Sequence, residues 1–268
     1  MGSPQERAIV LPFFHAPKHP LRAEHGIFRP MTMDEIEIEY GNADFFTIRA
    51  ADLDFILGPG KRSDSFETHR WTVLELAESV VPSRCYSALL DLLSGEWKYE
   101  MLWREHLRSG KDKTSRPHPR KQRLSESFLS RFNSGSSLLH KERRLRVALL
   151  RWEGSYQRTD PLDTVLDCCS CLEASFQMGD ELRLRTALAV YYTVRTGKKN
   201  AFRSVYTMYG VRNKFIHGAS IPEVSSQEWR RYIEITAALL QEFISHGRMP
   251  NAESMNRSIL SHFGGGDE

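Results

Sequence analysis

An arginine, an amide and a histidine stand close together in the segment VRNKFIHG, residues 211–218. Arg212, Asn213 and His217 are side-chain types that can cleave RNA without a metal ion. An imidazole can move a proton to or from the 2′-hydroxyl or the leaving 5′-oxygen. A guanidinium can hold the phosphate and stabilise the charge that develops on it, and an amide can orient either group. The plainer reading of such a pair, taken alone, is a surface arginine followed by a histidine at a helix end.

A helix over residues 199–217 is the element that must position these groups. Val205 and Met208 make its inward stripe, and Arg212 falls in line with them. Tyr209, Asn213 and His217 form a second line at four-residue spacing. Arg212 and His217 are five residues apart, so they point about 140° away from each other around the axis. One copy of the helix does not converge them; a two-fold pair of helices, or fraying at Gly218, would. Gly218 is a terminator of the left-handed cap type and places His217 in the last turn.

The neighbouring helices are legible from caps and periodicity. In TDPLDTVLDCCSCLEASF, Asp160 is the N-cap, Pro161 takes the first helical position and Asp163 lies in the first turn. The apolar stripe there is Leu162, Leu166, Cys169 and Phe176. Glu173 falls on that stripe, where a carboxylate needs a cationic or hydrogen-bonding partner to offset its desolvation. Either it reaches water at the boundary or it meets an arginine of an adjacent helix. DELRLRTALAVYYTV starts a helix at Asp180 that ends near Gly197. SSQEWRRYIEITAALLQEFISHG forms the last, with Trp229, Ile233, Thr236, Leu240 and Phe243 on one face. KERRLRVALLRW continues a helix expected to begin near Ser137. Short loops between these segments predict an antiparallel bundle.

The first part of the chain differs. Ile36, Ile38 and Tyr40 alternate with Glu35, Glu37 and Glu39, a strand pattern. Gly41-Asn42 offers a two-residue hairpin turn before a return strand over residues 45–48. Residues 58–65 read as a loop. Residues 71–107 read as helical, with a break and restart at Pro82-Ser83. The fold class is therefore mainly α: a C-terminal helical bundle over residues 124–264, preceded by a smaller α+β region over 1–108. Residues 109–123 join them and are polar, basic and proline-bearing. They serve either as a solvated linker or as a phosphate-contacting arm built on Lys111, Lys113, Arg116, Arg120, Lys121 and Arg123.

Composition bounds the partners. The 268 residues are 40% hydrophobic and 10% aromatic, enough for a real core. With 37 basic and 34 acidic residues the net charge is +3, which permits nucleic acid as a partner without demanding it. No apolar run approaches membrane-spanning length and no signal peptide is evident, so a soluble intracellular protein is expected, with no membrane partner. Cys85, Cys168, Cys169 and Cys171 lack the paired spacing of a zinc site and read as small core hydrophobes. No metal and no cofactor are expected.

The order of three elements, CLEASF, DELRLRTALAVYY and MYGVRNKFIHG, resembles the HEPN superfamily, and within it the Apea-like domains of bacterial defence proteins. The resemblance covers roughly residues 137–247. It implies a helical bundle that pairs through its motif helices, and a metal-independent endoribonuclease whose composite site lies at the homodimer interface. On that resemblance the catalytic residues are Arg212, Asn213 and His217, with Glu173, Lys214 and Tyr209 in support. It further implies a cytoplasmic protein used in phage defence or as a toxin, with RNA as substrate and a defence-system or antitoxin protein as a further partner. The alternative is a catalytically silent dimerisation or nucleic-acid-sensing subunit. In HEPN toxins silenced by nucleotide transfer a tyrosine follows two residues after the histidine. Here that position is Ala219, so that regulation is not expected.

Overall fold

A computed structural model describes residues 8–11, 14–32, 72–77, 81–108, 122–158, 160–176, 187–191, 201–218 and 222–250, together with Glu253 and Arg257. The described chain is mainly helical with a small antiparallel sheet. It divides into two compact units: residues 1–96 with 118–140, and residues 97–117 with 141–268.

The first unit is built on four strands: β1 (Ala8–Leu11), β2 (Leu21–Ala23), β3 (Gly26–Pro30) and β4 (Thr72–Leu76). Their order in the sheet is β1-β4-β3-β2, all antiparallel. The helical reading of residues 71–107 is thus corrected at its start, because TVLEL is the inner strand β4. Five residues are too few to show a period, and Val73, Leu74 and Leu76 are buried by strand partners far away in sequence. Gly26 is required by the close approach of β3 to β4: a β-carbon there would stand 2.7 Å from the Glu75 carbonyl oxygen. The hairpin expected at residues 36–48 and the loop at 58–65 lie outside the described residues.

Two helices complete this unit, α1 (Ser83–Ser94) and, after a helix α2 that belongs to the second unit, α3 (Glu126–Lys141) up to His140. Pro82 precedes α1, as the expected restart requires. Phe128 and Phe132 of α3 pack edge-on against Phe28, with ring centroids 6.4 and 5.1 Å away. This aromatic contact assigns α3 to the sheet rather than to the helical bundle. His140 accepts or donates a 2.7 Å hydrogen bond with the Tyr86 hydroxyl and stacks on His25 of the β2–β3 turn.

The second unit comprises α2 (Trp97–Arg108), α4 (Arg143–Gln157), α5 (Pro161–Phe176), α6 (Ala201–Ile216) and α7 (Ser226–His246), with a helical stretch at 187–191. Trp97 of α2 meets Trp152 of α4 edge to face, 5.8 Å between centroids, so α2 packs with the bundle. The expected division at residue 108 is therefore replaced by one in which α2 and α3 exchange sides. The helix expected to run on from Ser137 is interrupted: Glu142 is extended, with φ −118° and ψ 98°, and separates α3 from α4. No glycine or proline marks that break.

α5 is the central helix and packs against α4, α6 and α7. It begins as expected, with the Asp160 carboxylate accepting the Leu162 N–H at 2.7 Å. Its burial runs almost all round rather than along one stripe: Thr164, Val165, Cys168, Cys169, Cys171, Leu172 and Phe176 are buried, while Leu162 and Leu166 are half-buried. α7 opens with a capping box in which Ser225 and Glu228 satisfy each other's backbone N–H groups. Its predicted face of Trp229, Ile233, Thr236, Leu240 and Phe243 is fully buried. No helix among the described residues is long and apolar enough to cross a membrane.

Candidate functional site

Inward and outward faces of α6 are cleanly separated. Val205, Met208 and Tyr209 are buried, Arg212 and Asn213 are half-buried, and Lys214, Ile216 and His217 are exposed. The line Tyr209, Asn213, His217 therefore climbs from the core to solvent as the helix ends. Its end is the expected one. Gly218 adopts φ +65°, and the N–H groups of His217 and Gly218 bond back to the Asn213 and Phe215 carbonyls at 3.0 and 3.2 Å.

Arg212 turns the other way, toward α5. Its Nη2 lies 3.5 Å from Glu173 Oε1, with the two side chains 20% and 35% exposed. Its Nη1 donates to Asn213 Oδ1 at 3.0 Å. The stripe position of Glu173 is thus resolved in favour of the arginine of an adjacent helix. An ion pair of this length between partly exposed groups is weak taken by itself. The sequence from 201 to 216 contains no acidic residue, and the nearest compensating charge for Arg212 comes from another helix.

Tyr209 is buried three residues before Arg212 on α6. Its hydroxyl is buried and has no hydrogen-bond partner among the described residues. Burial pushes the phenol well above its ordinary range; the Glu173 carboxylate pushes it further, against the opposing pull of Arg212. The phenol therefore stays protonated and remains a donor.

Arg212, Asn213 and Glu173 are brought together, Tyr209 is buried in the core, and His217 is set apart on the exposed last turn with Lys214 on the outer face. Lys111, Lys113, Arg116 and Arg120 lie outside the described residues. All four cysteines are free and buried, as core hydrophobes. Burial pushes the Cys168 thiol up to about 12 and that of Cys171 well above its usual range, which suppresses thiolate chemistry. No group of three or more His, Cys, Asp or Glu side chains able to hold a metal ion occurs among the described residues.

One charged cluster escaped the reading of the sequence. Asp167, buried in α5, accepts from Arg158 Nε at 2.9 Å and from Arg151 Nη1 at 3.4 Å. The hydrogen bond and charge of Asp167 raise the Arg158 pKa. Gly154 leaves room for the carboxylate: a β-carbon there would stand 3.1 Å from Asp167 Oδ2. The spacing of Arg151 and Arg158, seven apart and so on one face, was the available signal. This cluster ties α4 to α5 and so fixes the helix that presents Glu173.

Comparisons with protein families, with curated proteins and with solved structures find no match to this chain.

Proposed function

We propose that this protein is a metal-independent endoribonuclease that acts in the cytoplasm, in phage defence or as a toxin. Its helical unit is read as a HEPN-type bundle. The observation that carries the proposal is the placement of the motif on α6. An exposed imidazole on the last turn and a partly exposed guanidinium share one helix free of acidic residues. RNA supplies its own nucleophile, the 2′-hydroxyl. His217 moves the proton, Arg212 holds the phosphate and Asn213 orients the guanidinium through the bond the two already make. Because Arg212 and His217 diverge around the helix, the active form is a homodimer in which each RNA phosphate meets groups from both copies. An antitoxin or defence-system protein is the further partner this reading entails.

The Arg212–Glu173 pair favours a second reading: a catalytically silent dimerisation or nucleic-acid-sensing subunit, in which the pair serves the fold. One experiment separates them. Purified protein is incubated with total RNA and tRNA, with and without EDTA. The nuclease reading expects cutting that EDTA leaves intact, products with a 5′-hydroxyl and a 2′,3′-cyclic or 3′-phosphate end, and no cutting of DNA. Cutting that EDTA abolishes, or equal cutting of DNA, refutes the mechanism; no cutting of any RNA selects the silent reading.

A further inference from the structure

The outward face of α4 carries one sign of charge. Of residues 143–158, only Arg143, Val147, Arg151 and Arg158 are exposed. A helix face that meets water alone ordinarily mixes acids with bases, since opposite charges three or four residues apart support the helix. Here the one acid of the stretch, Glu153, is buried, and Glu142 just before it pairs with Arg144 at 3.3 Å. Arg143, Val147 and Arg151 follow one another at four-residue steps and Arg158 comes seven residues later, so all four positions share one side of the helix. From Arg143 to Arg158 the row spans about 22 Å.

Two of these arginines are held by one buried carboxylate. Arg151 Nη1 and Arg158 Nε lie 3.4 and 2.9 Å from the two oxygens of Asp167, which is 8% exposed, while the arginine side chains stay 55% and 50% exposed. Gly154 lets the carboxylate approach between them in sequence. Asp163 acts on Arg158 more weakly than Asp167 does. Every exposed charge of the row is an arginine, whose planar fork grips phosphate oxygens in pairs as an ammonium cannot. A row of guanidiniums with no exposed acid among them fits an extended chain of phosphates. We propose that the outward face of α4, through Arg143, Arg151 and Arg158, is a second RNA-contacting surface that holds the phosphate backbone of a strand. Asp167 is its positioning residue. Contacts of this kind add affinity without reading sequence. The inference rests on the proposed function for the identity of the polyanion as RNA, and not on the chemistry at α6.

The test is the salt dependence of binding, read by fluorescence anisotropy with a 2′-O-methyl oligoribonucleotide, which has no free 2′-hydroxyl to attack. For a single strand the slope of log K against log salt is about 0.7 per phosphate contact. Replacing Arg143, Arg151 and Arg158 together by Gln is expected to weaken binding and to flatten the slope by about 2. Arg143→Gln alone leaves the Asp167 pairs in place and is expected to flatten it by about 0.7. Arg231→Gln removes the same charge from an exposed position of α7 and is expected to leave the slope as it is. An unchanged slope in the triple variant overturns the inference, as does equal flattening by Arg143→Gln and Arg231→Gln, which would make net charge the only cause. If thermal melts show the triple variant unfolded, Arg143→Gln against Arg231→Gln decides. Loss of binding to phosphatidylserine vesicles with RNA binding unchanged also overturns it and makes the face a membrane-docking one. A wild-type protein that binds no oligonucleotide even at low salt is a different result: it refutes the RNA reading itself, and this surface with it.

Discussion

Thr164→Val replaces one buried hydroxyl by a methyl of almost the same shape, and its effect can be worked from the contacts. The Thr164 hydroxyl accepts the indole N–H of Trp229 at 2.8 Å, and its own proton is directed at the Ser155 carbonyl at 3.0 Å, with the Asp160 carbonyl at 3.2 Å. It thereby joins α4, α5 and α7 at one buried point. Valine leaves the indole N–H of a fully buried tryptophan without an acceptor, at about 1–3 kcal/mol, and weakens a carbonyl's bonding by about 1 kcal/mol more. The more apolar side chain returns part of this, on the order of 1 kcal/mol. The net expectation is a loss of about 2 kcal/mol. Thr164→Ser is the control, since it keeps the hydroxyl and removes one methyl, at about 1 kcal/mol. Urea unfolding followed by tryptophan fluorescence measures both, with Trp152 and Trp229 as reporters in the same unit. Valine is expected to be worse than serine even though it is the more apolar of the two. Equal stability, or valine the more stable, would refute the view that this hydroxyl anchors the helix presenting Glu173.

Further expectations concern activity and pH. His217→Ala should slow RNA cleavage by about 10²–10⁴-fold and Arg212→Ala comparably; Arg212→Lys should restore it only in part, since an ammonium lacks the planar fork, and Asn213→Ala should be milder. Full activity in His217→Ala would put the site in the wrong place. Light scattering should find a homodimer; a monomer that still cuts RNA at micromolar concentration contradicts the composite site. Replacing Lys111, Lys113, Arg116 and Arg120 by neutral residues should weaken RNA binding and flatten its salt dependence, and an unchanged slope returns the segment to a plain linker. Stability should fall in alkali. Burial raises the Cys168 thiol from 9.0 to about 12, so its contribution is complete below pH 9 and is lost as pH climbs toward 12, reaching on the order of 4 kcal/mol. Urea midpoints at pH 8 and 10.5 should differ by less in Cys168→Ala than in the wild type, and equal drops count against the assignment.

What could be read from residues alone was what neighbours in sequence decide. The Asp160-Pro161 start and the Gly218 stop each depend on groups within a turn of one another, and each stands where expected. The long period of residues 226–246 was equally plain, because apolar residues spaced alternately four and three apart over many turns have few alternatives. Glu173 announced a need for a cation by lying on an apolar face, and the structure supplies Arg212 from the next helix. Tertiary contacts decided the rest. TVLEL became a strand because β1 and β3 cover its edges, and no local period in five residues could say so. Two helices changed sides because Phe128 and Phe132 find Phe28 while Trp97 finds Trp152, pairings between residues remote in the chain. The helix break at Glu142 has no glycine or proline to mark it. The idle hydroxyl of Tyr209 is likewise a property of its surroundings: whether a buried donor meets an acceptor depends on which helix packs over it, and a sequence records the donor but not what lies above it.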